Sequence, residues 1–260
     1  MGKIIAVANQ KGGVGKTTTA VNLAAAIGAC GKKALLVDID PQANATSGCG
    51  LRKKEIKKSS YECLIGEAYA QDCIVKTASK NLDILPAQMT LAGAEIELVE
   101  LSNREGRLRA ALSEVRGNYD FIFIDCPPSL GLLTLNALCA ADSVLMPIQC
   151  EYYALEGLSQ LTNTVKQVKM RYNPYIDIEG VLLTMYDGRL NLTIQAANEV
   201  KKFFPNKVFK TAIPRNVRLS EAPSYGQPIT DYDKRSKGAI AYTELAKEII
   251  KKNKKERFDK

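Results

Sequence analysis

Short apolar runs separated by helix-period segments dominate this chain. Ile4-Ile5-Ala6-Val7-Ala8, Ala34-Leu35-Leu36-Val37, Leu82-Asp83-Ile84-Leu85-Pro86, Phe121-Ile122-Phe123-Ile124, Ser143-Val144-Leu145-Met146-Pro147, Gly180-Val181-Leu182-Leu183 and Lys207-Val208-Phe209 each read as a strand. Continuous apolar strands, rather than alternating ones, imply a sheet buried on both faces. Between them Ala20, Leu23, Ala24 and Ile27 recur at spacings of three, four and seven, which makes one apolar stripe on a helix. Leu91, Ala94, Leu98 and Leu101 form a second stripe, and Leu108, Ala111 and Leu112 a third. Further helices are expected near 130–140, 154–170 and 190–203. A terminal helix carries Tyr242, Leu245, Ala246, Ile249 and Ile250 on the face expected to pack on the core. Strands alternating with helices predict an α/β fold: a mostly parallel, twisted sheet with helices on both faces, in a single domain. Residues 43–60, rich in Gly, Ser and Lys, read as a mobile loop. Residues 212–226 form a polar connection longer than compact domains usually carry without a functional reason.

Composition narrows the class. With 260 residues, 46% apolar and 25% charged, the chain can bury a full core and is ordinary for a globular protein. No run approaches the roughly 18 apolar residues of a membrane span, so a cytoplasmic protein is expected. There is no histidine, which excludes imidazole catalysis and imidazole metal ligation. The seven cysteines show no C-x-x-C pair and read as small buried hydrophobes. A net charge of +8 and a pI near 9.0 invite a polyanionic partner. Much of the excess sits in the run 52–58 and in the stretch 251–257, each of which reads by itself as a solvated loop or a frayed end. Residues 1–252 are taken as the folded domain and 253–260 as a basic C-terminal tail.

The chemistry is concentrated after the first strand. Lys11-Gly12-Gly13-Val14-Gly15-Lys16-Thr17-Thr18 fits the phosphate-loop pattern G-x-x-x-x-G-K-[ST] except that Gln10 stands at the opening glycine, and Lys11 stands where a neutral residue is usual. Glycines let the backbone curl around an anion with its N–H groups pointing inward. Lys16 offers a charge to the terminal phosphates, Thr17 a hydroxyl to Mg²⁺, and the helix N-terminus its partial positive charge. Asp38 and Asp40 lie at the end of the second strand. Asp125 closes the Phe121–Ile124 run, the pattern of a carboxylate that orders a metal's water shell. An ammonium buried without an anion is costly, and Lys16 already serves its own subunit's phosphates, so Lys11 is expected to neutralise phosphates bound by a second subunit.

These residues together resemble the deviant-Walker ATPases of the ParA/Soj family. The phosphate loop, Asp38-Ile39-Asp40-Pro41-Gln42, Asp125-Cys126-Pro127-Pro128-Ser129 and the segment from Pro214-Arg215-Asn216 to Gly226 match its signatures in order and spacing, over nearly the whole chain. The resemblance implies a P-loop NTPase that binds ATP and Mg²⁺ and pairs into a homodimer when ATP is bound. Lys11 would then act in trans beside Lys16, and Gly12 would lie where two backbones approach most closely. Asp40 is the candidate for orienting the attacking water, with Thr17, Asp38 and Asp125 around the metal. Pro214, Arg215 and Asn216, with Met185, are implied to flank the adenine. Arg189 and Arg218 look like positions that contact DNA in relatives. The resemblance further implies binding to double-stranded DNA without sequence preference, a ParB-type partner, association with the nucleoid, and slow hydrolysis.

Two rival readings remain at this stage. A MinD-type relative would lie on a membrane through its C-terminal helix, but Phe258 is the only apolar anchor after Ile250, so no stable membrane association is expected. A redox or carboxylate-activating enzyme on the same scaffold is the other. An iron–sulfur bridge needs two well-placed cysteines per subunit, and Cys126 alone does not supply that pattern.

Overall fold

Alternate residues of the central strands feed two different cores, and that division sets the architecture. The computed structural model describes residues 1–151 and 154–258. Strand β1 (Lys3–Val7) sends Ile4 and Ala6 to one core and Ile5 and Val7 to the other. The chain then enters helix α1 (Lys16–Ala29), strand β2 (Ala34–Asp38) and the short helix α2 (Asn44–Gly48). Helices α3 (Ser60–Ile65) and α4 (Ala70–Cys73) lead to strands β3 (Val75–Lys76) and β4 (Leu82–Leu85). Helices α5 (Leu91–Glu97) and α6 (Arg107–Val115) follow, then strand β5 (Phe121–Asp125), helix α7 (Leu132–Ala140) and strand β6 (Ser143–Gln149). Next come helix α8 (Ala154–Arg171), strand β7 (Asp177–Thr184) and helix α9 (Asn191–Phe203). The short helices α10 (Val217–Glu221) and α11 (Ile229–Tyr232) precede the last helix, α12 (Lys237–Phe258).

Among the described residues the sheet has seven strands in the order β3-β4-β2-β5-β1-β6-β7, parallel except for the β3–β4 pair at one edge. Helices α1, α11 and α12 cover one face with Phe121, Phe123 and Leu36; helices α5 to α9 cover the other with Ile122, Ile124, Leu35 and Val37. The apolar stripe of α12 is core: Tyr242, Leu245, Ala246 and Ile249 are buried against α1, and the Tyr242 hydroxyl meets Thr19 Oγ1 at 3.2 Å. Helix α12 continues through residues 253–258 of the expected tail; residues 259 and 260 and the side chain of Phe258 lie outside the described residues.

Three sequence expectations need correction. Lys207–Phe209 is not a strand, because only Val208 bridges to Val181. The Glu248 carboxylate accepts the next two amides, of Lys210 and Thr211, and turns the chain onto α12. The seventh strand is instead the antiparallel edge pair Val75–Lys76, too short and too exposed to leave an apolar signal. Residues 43–60 are not a loop throughout. Asp38 Oδ2 accepts from the backbone N and hydroxyl of Thr46, at 2.8 and 2.7 Å, which seats α2 under the sheet end. The connection 212–226 likewise holds α10 and a 3₁₀ turn at Ala222–Tyr225.

At the opposite end of the sheet from the phosphate loop, Glu179 is buried and ties α12 to the strands. Ser143 Oγ donates to Glu179 Oε2 at 2.6 Å and Asn253 Nδ2 to Oε1 at 3.1 Å; Lys252 and Lys3 pair with it at 3.3 and 3.6 Å. Burial alone would raise this carboxyl, but Lys252 and Lys3, with the two hydrogen bonds, hold it below the usual carboxylate range. A depressed native pKa stabilises the fold above the unfolded carboxyl's pKa and loses that contribution as pH falls through the native value. Glu179→Gln is therefore expected to lower stability at neutral pH by about 1–3 kcal/mol. Its difference from the parent should shrink as pH drops below about 4, measured by urea unfolding across a pH series.

Candidate functional site

Register brings the acidic residues together. Asp125 pairs with Asp38 on one side and with Val7 on the other, so the carboxyl ends of β2, β5 and β1 stop in one line. The phosphate loop leaves β1 at that line. Ligands of open α/β sheets bind at the carboxyl ends of the strands, and here the ends are acidic.

The loop itself is held from below. Val14 is buried, and its carbonyl accepts from Thr184 Oγ1 at 2.9 Å, which fastens the loop to the end of β7. Gly13 and Gly15 have φ of 74° and 84°, the left-handed region that only glycine adopts without cost. A Cβ on Gly12 or Gly13 would meet nothing within 4 Å. Packing within the chain therefore does not demand glycine at 12. Lys16 and Thr17 open α1, with Thr18 in the same turn, and Lys16 Nζ donates to the Lys11 carbonyl at 3.1 Å. Burial lowers the Lys16 pKa, while Asp125, Cys126 and Asp40 pull it back up.

The three carboxylates differ in how they are satisfied. Asp38 is fully buried and spent on structure: Oδ1 accepts from Asp40 N at 3.1 Å and Oδ2 from Thr46. Asp40 Oδ1 accepts from Gln42 N at 2.9 Å, and its other oxygen makes no hydrogen bond among the described residues. Asp125 is fully buried, and neither of its oxygens has a hydrogen-bond partner. Burial, then the neighbouring Asp38, pushes the Asp125 carboxyl well above its usual range, with Thr17 and Lys16 acting the other way. A bare buried carboxylate needs a cation or a proton. The residues present fit a divalent cation held between Thr17 and this carboxylate line.

Lys11 corrects the sequence argument. Its ammonium has an anion within the chain: Glu151 Oε2, at 2.8 Å. Both side chains are about half exposed, at 40% and 47%. Such a pair contributes about 0–1 kcal/mol and is readily exchanged. No local pattern in the sequence pointed to Glu151, which is 140 positions away. Thr184 and Thr46 carry no such sequence signal either, since the contacts of Thr184 with the Val14 carbonyl and of Thr46 with Asp38 and the Ala87 amide are made only by the fold.

The second half of the site is assembled at the end of β7. Met185 sits at φ 48°, and the next residue, Tyr186, bridges in parallel to Pro214. That bridge brings the chain after Met185 alongside the start of Pro214-Arg215-Asn216. Asn216 Oδ1 is buried with no hydrogen-bond partner. Asn22 ties α11 to the first turn of α1 by accepting from Ile229 N at 2.6 Å and donating to the Thr18 carbonyl at 2.8 Å. Arg189 and Arg218 are exposed but not free. Arg189 forms two hydrogen bonds to Asp187, at 2.9 and 2.7 Å, and Arg218 pairs with Glu221 at 2.9 Å and Asp233 at 3.7 Å. Cys126 is fully buried, and burial together with Asp125 raises its thiol far above the range of a reactive or cluster-binding cysteine.

Comparison with known proteins agrees with this geometry. A family model described as an AAA domain matches residues 2–178. The sporulation initiation inhibitor protein Soj of Bacillus subtilis is 62% identical over 96% of this chain and 98% of its own. The chromosome partitioning protein ParA of Myxococcus xanthus is 54% identical over 97% of this chain and 89% of its own. Among solved structures, a cobyrinic acid a,c-diamide synthase from Mycobacterium smegmatis with bound ADP and magnesium superposes with a TM-score of 0.84. It is 38% identical and covers 95% of this chain and 93% of its own. Likeness at this level runs almost end to end, through both halves of the site, and the chain belongs to the ParA/Soj family of chromosome-partitioning P-loop ATPases.

Proposed function

We propose that this chain is an ATP-driven dimerising switch. Two copies close face to face over two Mg²⁺-ATP, the closed dimer binds double-stranded DNA without sequence preference, and a ParB-type partner stimulates hydrolysis during chromosome or plasmid segregation on the nucleoid. The observation that carries the nucleotide half is Asp125, a buried carboxylate with two unpartnered oxygens beside Thr17 and Lys16. Thr17 would hold Mg²⁺ directly, with Asp38, Asp40 and Asp125 around its water shell; the bound ion would neutralise phosphate charge and align the transferring group. The amides of Gly12 to Thr18 and the Lys16 ammonium cradle the phosphates. Asn216 Oδ1, buried without a partner, would be available to accept from the adenine's amine, with Met185, Pro214 and Arg215 beside it. Asp40, with one oxygen uncommitted, orients the attacking water.

Pairing is supported by Gly12 and Lys11 together. Glycine at 12 answers no contact within the chain, which suits a close approach by phosphates and a second backbone. Lys11 leaves Glu151 at little cost and gains the phosphates of the facing subunit, a far stronger charge-assisted contact. Pairing also joins two weak DNA-binding surfaces into one avid one. The membrane reading has less support: the apolar face of α12 is consumed by α1, and among the described residues no helix is long and apolar enough to cross a membrane. The synthase reading has less as well, since the chain shares 62% of its residues with Soj against 38% with the synthase.

The direct test is DNA binding with a non-hydrolysable ATP analogue, with ADP and without nucleotide; only the first should bind tightly, and equal binding in all three would remove the switch. Lys11→Ala should abolish analogue-dependent dimerisation in sedimentation velocity, whereas Glu151→Gln should keep it within about fivefold of the parent. A dimer that persists in Lys11→Ala would end the trans role. Asp40→Ala should bind the analogue as the parent does but release phosphate at least about a hundredfold more slowly, leaving a long-lived DNA-bound dimer. Parent-like phosphate release would take Asp40 out of the reaction.

A further inference from the structure

The basic run at 52–58, which reads from sequence as a solvated loop, is held in a defined place. Gln88 Nε2 donates to the carbonyls of Lys53 and Ile56, at 3.1 and 3.0 Å. Lys53 Nζ reaches the carbonyl of Gln42, two residues beyond Asp40. Facing the run are the edge strand β3 and the turn at Tyr225–Gln227, and between them lies an open groove of about 730 Å³.

The charges in this groove differ from those at the two arginines. Lys57, Lys58 and Lys76 line it, are exposed, and make no ion pair among the described residues. Arg52 and Glu55 satisfy each other at 3.2 Å, which leaves Asp72 as the remaining lining acid against three lysines. Arg189 and Arg218, by contrast, already hold carboxylates of their own. Unlike those two arginines, the groove therefore presents positive charge with no carboxylate paired to it.

Both walls of the groove lead back to the nucleotide site. One continues from Asp40 through α2 to Gly50; the other continues from Pro214–Asn216 through α10 to Gly226. The walls meet backbone to backbone, since a Cβ on Gly50 would lie 2.8 Å from the Gly226 carbonyl oxygen and one on Gly226 would lie 2.7 Å from Gly50 Cα. Both residues have positive φ, 85° and 62°, so glycine is required there by conformation and by space. Arg218 joins the same surface through Glu221, the Tyr232 hydroxyl and the Tyr232–Tyr225 ring pair, whose centroids are 5.0 Å apart.

We propose that this groove, through Lys57, Lys58 and Lys76, is a principal seat of the DNA backbone on each subunit, with Arg218 at its margin. The proposal rests on the DNA-binding reading above and names its surface. Charge complementarity selects the occupant: unpaired lysines on ordered backbone attract phosphates without reading bases. The clasp at Gly50 and Gly226 carries changes at the two nucleotide-contacting segments to the groove.

The test uses the full chain with a non-hydrolysable ATP analogue and a short duplex of arbitrary sequence, titrated across salt concentrations. The triple variant Lys57→Ala/Lys58→Ala/Lys76→Ala should lose DNA affinity on the order of tenfold or more and reduce the slope of log affinity against log salt by about two to three. Its dimer mass and basal phosphate release should match the parent. If the triple variant binds DNA with parent affinity and slope while Arg218→Ala lowers both, the groove is not the seat, though the DNA reading stands. If the parent chain binds no DNA with the analogue, both fall. If the triple variant loses affinity only for vesicles of anionic phospholipid and not for DNA, the groove proposal is overturned in favour of a lipid surface.

Discussion

Three parallel strands ending in register underlie everything else in this molecule. Because Val7, Asp38 and Asp125 lie side by side across β1, β2 and β5, two carboxylates are forced into the protein interior at the point where the phosphate loop begins. The sheet's apolar strands make that interior dry, and dryness is what gives the carboxylates their character. Asp38 is stabilised by Thr46 and by the Asp40 amide, so it acts as a structural brace. Asp125 is left without partners, and a cation is the natural means of satisfying it.

The same contrast between satisfied and unsatisfied groups organises the rest of the surface. Lys11 is paired, but with an exposed carboxylate that competes weakly, so the pair marks a resting position rather than a final one. Arg189 and Arg218 are paired too, which moderates the charge they present. Glu179 is the opposite case, buried and held by two lysines and two hydrogen bonds, and it secures the last helix at the far end of the sheet. The Glu179 network thus lies at one end of the strands and the unpartnered Asp125 carboxylate at the other, where a ligand can satisfy it.

The strands and helices were largely legible because burial on both sheet faces demands continuous apolar strands, and packing demands apolar stripes on helices. The exceptions are instructive. Val75–Lys76 is an exposed edge pair with no core contact to impose a pattern, and Lys207–Phe209 has a strand's composition but is diverted by Glu248 after one bridging residue. The segment 43–60 has a loop's composition, yet Asp38, Thr46 and Gln88 anchor it. In each case a long-range hydrogen bond or its absence overrode local propensity.

By itself the sequence determined the fold class, the phosphate loop, the acidic strand ends and the family likeness, because each depends on residues close together in the chain or on a short repeating period. Only the tertiary structure decided which carboxylate is braced and which is bare, that Glu151 holds Lys11, that Asn216 presents an unpartnered oxygen, and that the run at 52–58 faces Lys76 across a groove. Those outcomes depend on distances between residues far apart in the chain. Strand register and backbone clasps such as Gly50 against Gly226 set such distances, and no local pattern encodes them.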